Sequence, residues 1–329
     1  MIITQAHGGG GRTTSELIRS VFFRYFGNEI LLRAEDSAVV EGYSRIAVTT
    51  DSFVVDPPEY DGGDIGRLSV CGTVNDLLSS GAVPKYLTCG FILEEGLEIE
   101  TLERIAASMA DTAKEAGVSI VAGDTKVTQG KGGLFINTAG VGFVPEGREV
   151  SARRIKEGDS VIVSGCLGEH HVAILKSRLN IKNSVSSDNA PLAAMVKALF
   201  ERGIDIHAMR DITRGGLATV LSEMSASSDA EIFIEEKRLP ENESVKGFCS
   251  LLGLETIYMG NEGRMLFFVS ADDADKALQV IRNDRYGINA AVIGTVRSVG
   301  KEGFVCMKTI SGGERRLEAM AGEGLPRIC

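Results

Sequence analysis

No stretch of eighteen or more apolar residues occurs in this 329-residue sequence, which excludes a helical membrane span. The opening residues Met1-Ile2-Ile3-Thr4-Gln5 carry neither a basic region nor a secretory apolar core, so a cytoplasmic setting is expected. Lysine and arginine nowhere form a dense cluster, and the net charge is −10; neither favours a nucleic-acid groove. The six cysteines (71, 89, 166, 249, 306 and 329) contain no Cys-x-x-Cys pair. A zinc knuckle, an iron–sulfur site and a disulfide framework are therefore not expected. Cys71, Cys89, Cys249 and Cys306, set among apolar or small residues, read as buried thiols.

What is present is a soluble-globular balance, 43% hydrophobic and 24% charged, in a chain long enough for two domains. Glycine is abundant, at 39 residues, and much of it is clustered, which points to tight turns and backbone that approaches a ligand closely. The run Gly8-Gly9-Gly10-Gly11-Arg12-Thr13-Thr14 reads as a loop feeding a helix, with Thr13 or Thr14 as N-cap. It reads equally as a phosphate cradle or a linker, since it matches neither the Walker nor the Rossmann spacing.

Residues 38–40 and 46–50 are expected strands, followed by a helix over 68–80, a strand over 86–91, a helix over 99–116 capped by Gly117, and a strand over 118–122 ending in Gly123-Asp124-Thr125-Lys126. The polar, turn-rich stretch 145–159 marks a boundary. The expected division is 1–148, 149–311 and a flexible tail over 312–329. After the boundary come a strand from Ser160, a helix with His170-His171 in its first turn, helices over 191–202 and from 217 to 223, a turn over 257–264 between two strands, a helix over 272–284 and late strands near 290–296 and 304–306. Strands alternate with helices in both halves, so the class is α/β or α+β.

Asp36, Asp51, Asp76 and Asp124 fall at or near element ends, where hard oxygen ligands could hold magnesium against phosphate oxygens; ordinary caps and turns are the other reading. Asp76 stands out, because it lies beside Asn75 among a helix's apolar residues and there requires a cation or hydrogen bonds. His170-His171 read as structural. The end of the chain, Pro326-Arg327-Ile328-Cys329, follows a small, polar, easily bent run, so the Cys329 thiol could swing into a site; a frayed terminus is the alternative.

Several segments fall together in one order: "HGGGGRTT" at 7–14, "EDSAVV" at 35–40, "TTDSFVVDPP" at 49–58, "GDIGRLSVCGTVNDLLSSGAVPKYL" at 63–87, "VAGDTKV" at 121–127, "MRDITRGGLA" at 209–218, "GNEG" at 260–263 and the final "PRIC". This series closely resembles the HypE family of hydrogenase maturation factors, within the superfamily of aminoimidazole ribonucleotide synthetase, selenophosphate synthetase and thiamine-phosphate kinase. The 63–87 stretch and the terminal cysteine are its specific parts. The resemblance implies two α/β domains, with N-terminal sheets pairing into a barrel in a homodimer. It implies ATP and Mg2+ as cofactors, with Asp36, Asp51, Asp76 and Asp124 at the metal positions. Gly8, Gly9, Gly10, Gly11, Thr50, Asp64, Asn75 and Asp211 would be nucleotide contacts.

The implied reaction is ATP-dependent dehydration of the S-carbamoylated Cys329 to a thiocyanate, the source of the cyanide ligand in [NiFe]-hydrogenase assembly. The carbamoyltransferase HypF and the scaffold proteins HypC and HypD would be partners; neither nucleic acid nor membrane would be. Glu262 would be the base and Lys126 would orient the amide. Two other readings stay open on the residues alone. One is ATP-dependent activation of a free small molecule, as in aminoimidazole ribonucleotide or selenophosphate synthesis. The other is a non-catalytic binding module.

Overall fold

A computed structural model describes residues 2–9, 12–34, 37–300 and 302–320. The first region opens with helix α1 (Arg12–Leu17), a π-helical turn over Ile18–Phe23 and the short α2 (Arg24–Phe26). Its centre is a four-stranded sheet ordered β1-β6-β4-β5: β1 (Ile46–Phe53), β4 (Val83–Glu94), β5 (Ser119–Thr128) and β6 (Leu134–Phe143). Two tiny strands, β2 (Glu59–Tyr60) and β3 (Gly63–Asp64), pair ahead of helix α3 (Ile65–Ser79). Helix α4 (Ile99–Ala116) crosses from β4 to its parallel neighbour β5; the remaining pairs in this sheet are antiparallel.

Helix α4 is amphipathic: Leu102, Ile105, Ala106, Met109, Ala113 and Ala116 are buried at helical spacing. Helix α3 is buried nearly all round, because the sheet covers one side and the second region the other. Both helices lie on the same sheet face. The opposite face is open, and it exposes Ile46, Val48, Val83 and Ile92.

The second region is a seven-stranded sheet ordered β13-β12-β9-β11-β7-β10-β8. Its strands are β7 (Ser160–Val163), β8 (Ile206–Asp211), β9 (Ala230–Glu235), β10 (Met265–Val269), β11 (Ala291–Val299), β12 (Phe304–Lys308) and β13 (Glu314–Leu317). Helices α5 (Glu169–Arg178), α6 (Ala193–Glu201), α7 (Gly216–Ser228), α8 (Glu243–Leu252) and α9 (Ala274–Arg282) cover it. One apolar core runs through both regions, joining Val70, Val74 and Leu78 of α3 to Met195, Val196 and Leu199 of α6 and Phe267 of β10.

Four local expectations change. Residues 38–40 form no strand, and Val39 is 74% exposed. Helix α1 starts at Arg12, so Thr13 and Thr14 lie inside its first turn rather than at the N-cap. Residues 257–264 are not a link between two strands, because α8 and a 3-10 turn over Thr256–Tyr258 precede them. The expected tail is shorter at its start: Glu314–Leu317 pairs with β12 as the sheet's edge strand, with Val305 opposite Leu317. The second half of that tail, including Cys329, lies outside the described residues.

Candidate active site

Strand β1 alternates sides, so Asp51 turns toward α3 while Thr50 and Ser52 face outward. One carboxylate oxygen of Asp51 lies 3.4 Å from where a Cβ on Gly72 of α3 would stand. Asp76, one turn further along α3, accepts a 2.8 Å hydrogen bond from the Thr49 hydroxyl. That contact answers part of its partner requirement inside an apolar helix.

The second region closes over this pair. Strand β8 packs on α3 and ends at Asp211. The turn before β10 brings in Glu262, whose backbone N–H donates to the buried Asp188 at 3.0 Å. Asp188 also lies 3.4 Å from the Arg264 guanidinium.

These groups raise one another's proton affinity. Burial pushes Asp211 up to about 7, and the negative charges of Asp76 and Asp51 add to this, with Arg210 opposing. Burial, then Asp211, Asp188 and Asp51, holds Glu262 well above the ordinary glutamate range against the pull of Arg214. Asp51 and Asp76 are raised as well, chiefly by burial. Asp188 is lifted to about 6 by burial. The junction of the two regions is thus a carboxylate cluster short of positive charge.

Among the described residues no three acidic, histidine or cysteine side chains are grouped to chelate a metal by themselves. Magnesium held by one or two carboxylates would complete its shell with water and phosphate oxygens, which is its ordinary habit. The raised Asp51 and Asp76 fit such an ion. Asp36, Gly10 and Gly11 lie outside the described residues.

Other expected site residues stand elsewhere. Strand β5 does not end at Gly123 but continues to Thr128, and this puts Asp124 and Lys126 on its open side, in the rows of Gly90 and Ile92. They form a 2.8 Å ion pair with side chains 69% and 66% exposed. Its hydrogen bond holds the Asp124 carboxyl below its usual range. Asp51 sits on the far side of the same sheet, three strands away, at least about 14 Å at the usual strand spacing.

Gly8 packs against β5 so closely that a Cβ there would meet the Val127 backbone nitrogen at 2.7 Å, whereas Gly9 is exposed. Together they bring the start of the glycine loop beside Lys126. An apolar cavity of about 280 Å³ opens there, lined by Gly8, Ile18, Phe22, Phe91 and Thr125 among others.

Thr50, on the open face, donates to the Thr138 carbonyl at 3.0 Å. Asp64 is the N-cap of α3, accepting from the Gly66 and Arg67 N–H groups at 2.7 and 2.9 Å. Asn75 is an inter-domain clasp: its amide donates to the Ala190 carbonyl and accepts from the Leu192 N–H, both at 3.0 Å. Both polar ends of Asn75 are therefore occupied by protein. His170 and His171 are buried and bond to Ser187 and Gly260, as a structural reading requires.

Sequence reasoning missed Asp188, Arg210 and Arg214. The two arginines stand inside the "MRDITRGG" segment, which was a usable signal; Asp188 lies in a polar run without periodicity and offered none.

Comparison with known proteins agrees with this architecture. The profile of the AIR synthase related protein N-terminal domain matches residues 34–144, and that of the corresponding C-terminal domain matches 156–307. A carbamoyl dehydratase HypE of Rhodobacter capsulatus is 45% identical over 336 residues, spanning 99% of this chain and 98% of its own. A crystal structure of hydrogenase maturation protein HypE in complex with ATP superposes with a TM-score of 0.95 at 44% identity, covering 99% of both chains. A chain from a HypE–HypF complex superposes at 0.80 and 43% identity, over 92% of this chain and 99% of that one. With this identity over nearly its whole length, the chain belongs to the HypE family of AIR synthase related proteins.

Proposed function

We propose that this chain is an ATP-dependent carbamoyl dehydratase that converts its own S-carbamoylated Cys329 to a thiocyanate, the cyanide source for the iron centre of [NiFe]-hydrogenase. The observation that carries the reading is Glu262, a carboxylate of raised proton affinity set among Asp211, Asp188 and Asp51 at the junction of the two domains. A carboxylate of raised proton affinity is, once ionised, a stronger base than an ordinary glutamate, and proton removal from an amide nitrogen requires one. The relatives named carbamoyl dehydratase and the ATP-bound relative support it.

The carbamoyl oxygen is a poor leaving group until it is phosphorylated. It attacks the γ-phosphorus of ATP, ADP departs, the nitrogen gives up the first of its two protons to solvent, and an imidate phosphate forms. Glu262 takes the nitrogen proton, the C–O bond breaks, phosphate carries the oxygen away and the nitrile remains. Bound magnesium would neutralise charge on the phosphates, with Asp51 and Asp76 as its protein ligands and Asp36 and Asp124 as further candidates. Lys126 would orient the amide, with Gly8 to Gly11 over the phosphates; Thr50, Asp64, Asn75 and Asp211 stand as the remaining nucleotide-side candidates.

One chain holds Glu262 and Lys126 on different faces of its N-terminal sheet. We therefore take a homodimer, built through the open face bearing Ile46, Val48, Val83 and Ile92, as the unit that completes the site. HypF is the proposed carbamoyl donor, as the HypE–HypF complex of a relative suggests, and HypC and HypD the proposed acceptors. Five described cysteines are free thiols, in keeping with a reducing cytoplasm.

The test is direct. Carbamoylated protein mixed with MgATP should lose one water by mass, and the loss should require ATP and Cys329. An unchanged mass with ATP intact would refute the proposal. Turnover of a free amide by Cys329→Ala protein would favour the small-molecule alternative.

A further inference from the structure

Arg214 has no role in the chemistry described so far. It stands in the turn between β8 and α7, three residues after Asp211. Among the described residues its exposed guanidinium makes no hydrogen bond or ion pair. Arg210, by contrast, is held by Glu223 at 2.9 Å.

The charge of Arg214 is nevertheless felt by Asp51 and by Glu262, one on each side of the junction. The turn that carries it is rigid. Gly215 and Gly216 both have positive φ, at 78° and 64°, and a Cβ on Gly216 would lie 2.5 Å from the Ile257 carbonyl oxygen. The first turn of α7 is thereby fixed against the 3-10 turn that leads into Glu262.

A triphosphate is itself a polyanion. Bringing it against Asp51, Asp76, Asp211 and Glu262 costs repulsion that one divalent ion only partly offsets. An arginine that served merely to balance these carboxylates would be drawn into contact with one of them. Arg214 is instead unengaged, close to both halves of the cluster and held on a stiff turn. Its planar fork suits the oxygens of a phosphoryl group, whose charge is spread over three of them during transfer.

We propose that Arg214 is a catalytic residue that grips the phosphoryl group as it passes from ATP to the carbamoyl oxygen, then steadies the departing phosphate. This rests on the dehydratase reading above. It places a phosphate-facing cation in the same half of the site as the base, so that the group activating the oxygen and the group deprotonating the nitrogen ride on neighbouring turns.

The experiment uses full-length carbamoylated protein carrying Arg214→Ala or Arg214→Lys, with thiocyanate formation and phosphate release followed in single turnovers. Arg214→Ala should slow the step at saturating ATP by at least about 100-fold. The ATP concentration for half-maximal rate should move less than about threefold, because the contact strengthens only during transfer. Arg214→Lys should recover part of the rate. Guanidinium ion at non-denaturing concentration should rescue the alanine variant and leave the parent unchanged. An alanine variant with the parental maximal rate would overturn the proposal, as would a loss that neither lysine nor guanidinium restores. The parent protein is the control for the underlying reading: if it fails to form thiocyanate, the dehydratase reading falls, whereas a working parent beside an unaffected variant sinks only the role of Arg214.

Discussion

The two sheets solve opposite problems. Strand β10, Met265-Leu266-Phe267-Phe268-Val269, is buried at every position because its alternate residues enter two separate apolar cores. Strand β1, Ile46–Phe53, alternates between outward and inward residues, yet its outward set includes Ile46 and Val48, at 55% and 65% exposure. A continuous apolar run signals a sheet finished within the chain. An alternating strand whose outer face is still apolar signals one that awaits a second surface. The proposed site follows the same divide: Glu262, the proposed base, comes with the finished sheet, and the Asp124–Lys126 pair with the unfinished one.

The largest expected effect separates these halves of the site. Glu262→Gln and Lys126→Ala should each lower thiocyanate formation by about 100-fold or more in homodimers. Mixed in one dimer, the two defective chains should regain a substantial part of the activity, because one intact half-site of each kind survives. Recovery no greater than in either homodimer would show that both groups act within one chain and would break the comparison.

Packing supplies the next test. Phe267→Ala, at a fully buried position of β10, should cost about 3–5 kcal/mol in denaturant unfolding. Val48→Asp should leave the unfolding of the isolated chain nearly unchanged while abolishing dimers in sedimentation. A Val48→Asp protein that stays dimeric would remove the open face as the contact surface.

Asn75→Ala should cost about 2–4 kcal/mol, since it leaves the Ala190 carbonyl and the Leu192 N–H buried without partners. If Asn75 served the nucleotide instead, stability would hold and only ATP affinity would fall.

The smallest effect concerns Asp188. Its folded pKa of about 6 lies above its ordinary value of 3.8, so its neutral form is the one that the fold favours. Its stabilising contribution is complete below about pH 4 and is lost as pH rises through about 6. Asp188→Asn keeps the acceptor for the Glu262 N–H and removes that titration. The variant should gain on the parent between pH 4 and pH 7 by up to about 3 kcal/mol, measured by thermal or denaturant unfolding. A constant difference across that range would contradict a carboxylate whose burial outweighs the pull of Arg264.

Much of this was visible in the residues. The apolar spacing within 99–116 with Gly117 behind it gave α4 at its observed ends, and the polar stretch 145–159 lies between β6 and β7. Sequence reasoning faltered where polar residues continue a strand. Asp124 and Lys126 look like the end of β5, yet the backbone keeps pairing with β4 through Thr128, which sets both residues on the open face of the sheet. Asn75 shows a second limit. Beside Asp76 it looks like a ligand, but its partners are backbone groups more than a hundred residues away, and no local pattern encodes such a contact. Asp188 was silent because its partners, the Glu262 N–H and the Arg264 guanidinium, are brought to it by the fold alone.

The apolar core that passes unbroken from α3 into α6 and β10 has a kinetic corollary. Many enzymes that handle nucleotides close like a jaw around a hinge, but two halves fused through a shared dry interior cannot swing apart without unpacking it. The junction that carries Asp51, Asp76, Asp211 and Glu262 is therefore held at a nearly constant width. If turnover in such a molecule waits on the arrival and departure of its substrate, viscosity and chain length in the final segment should weigh on its speed more than any breathing of the body.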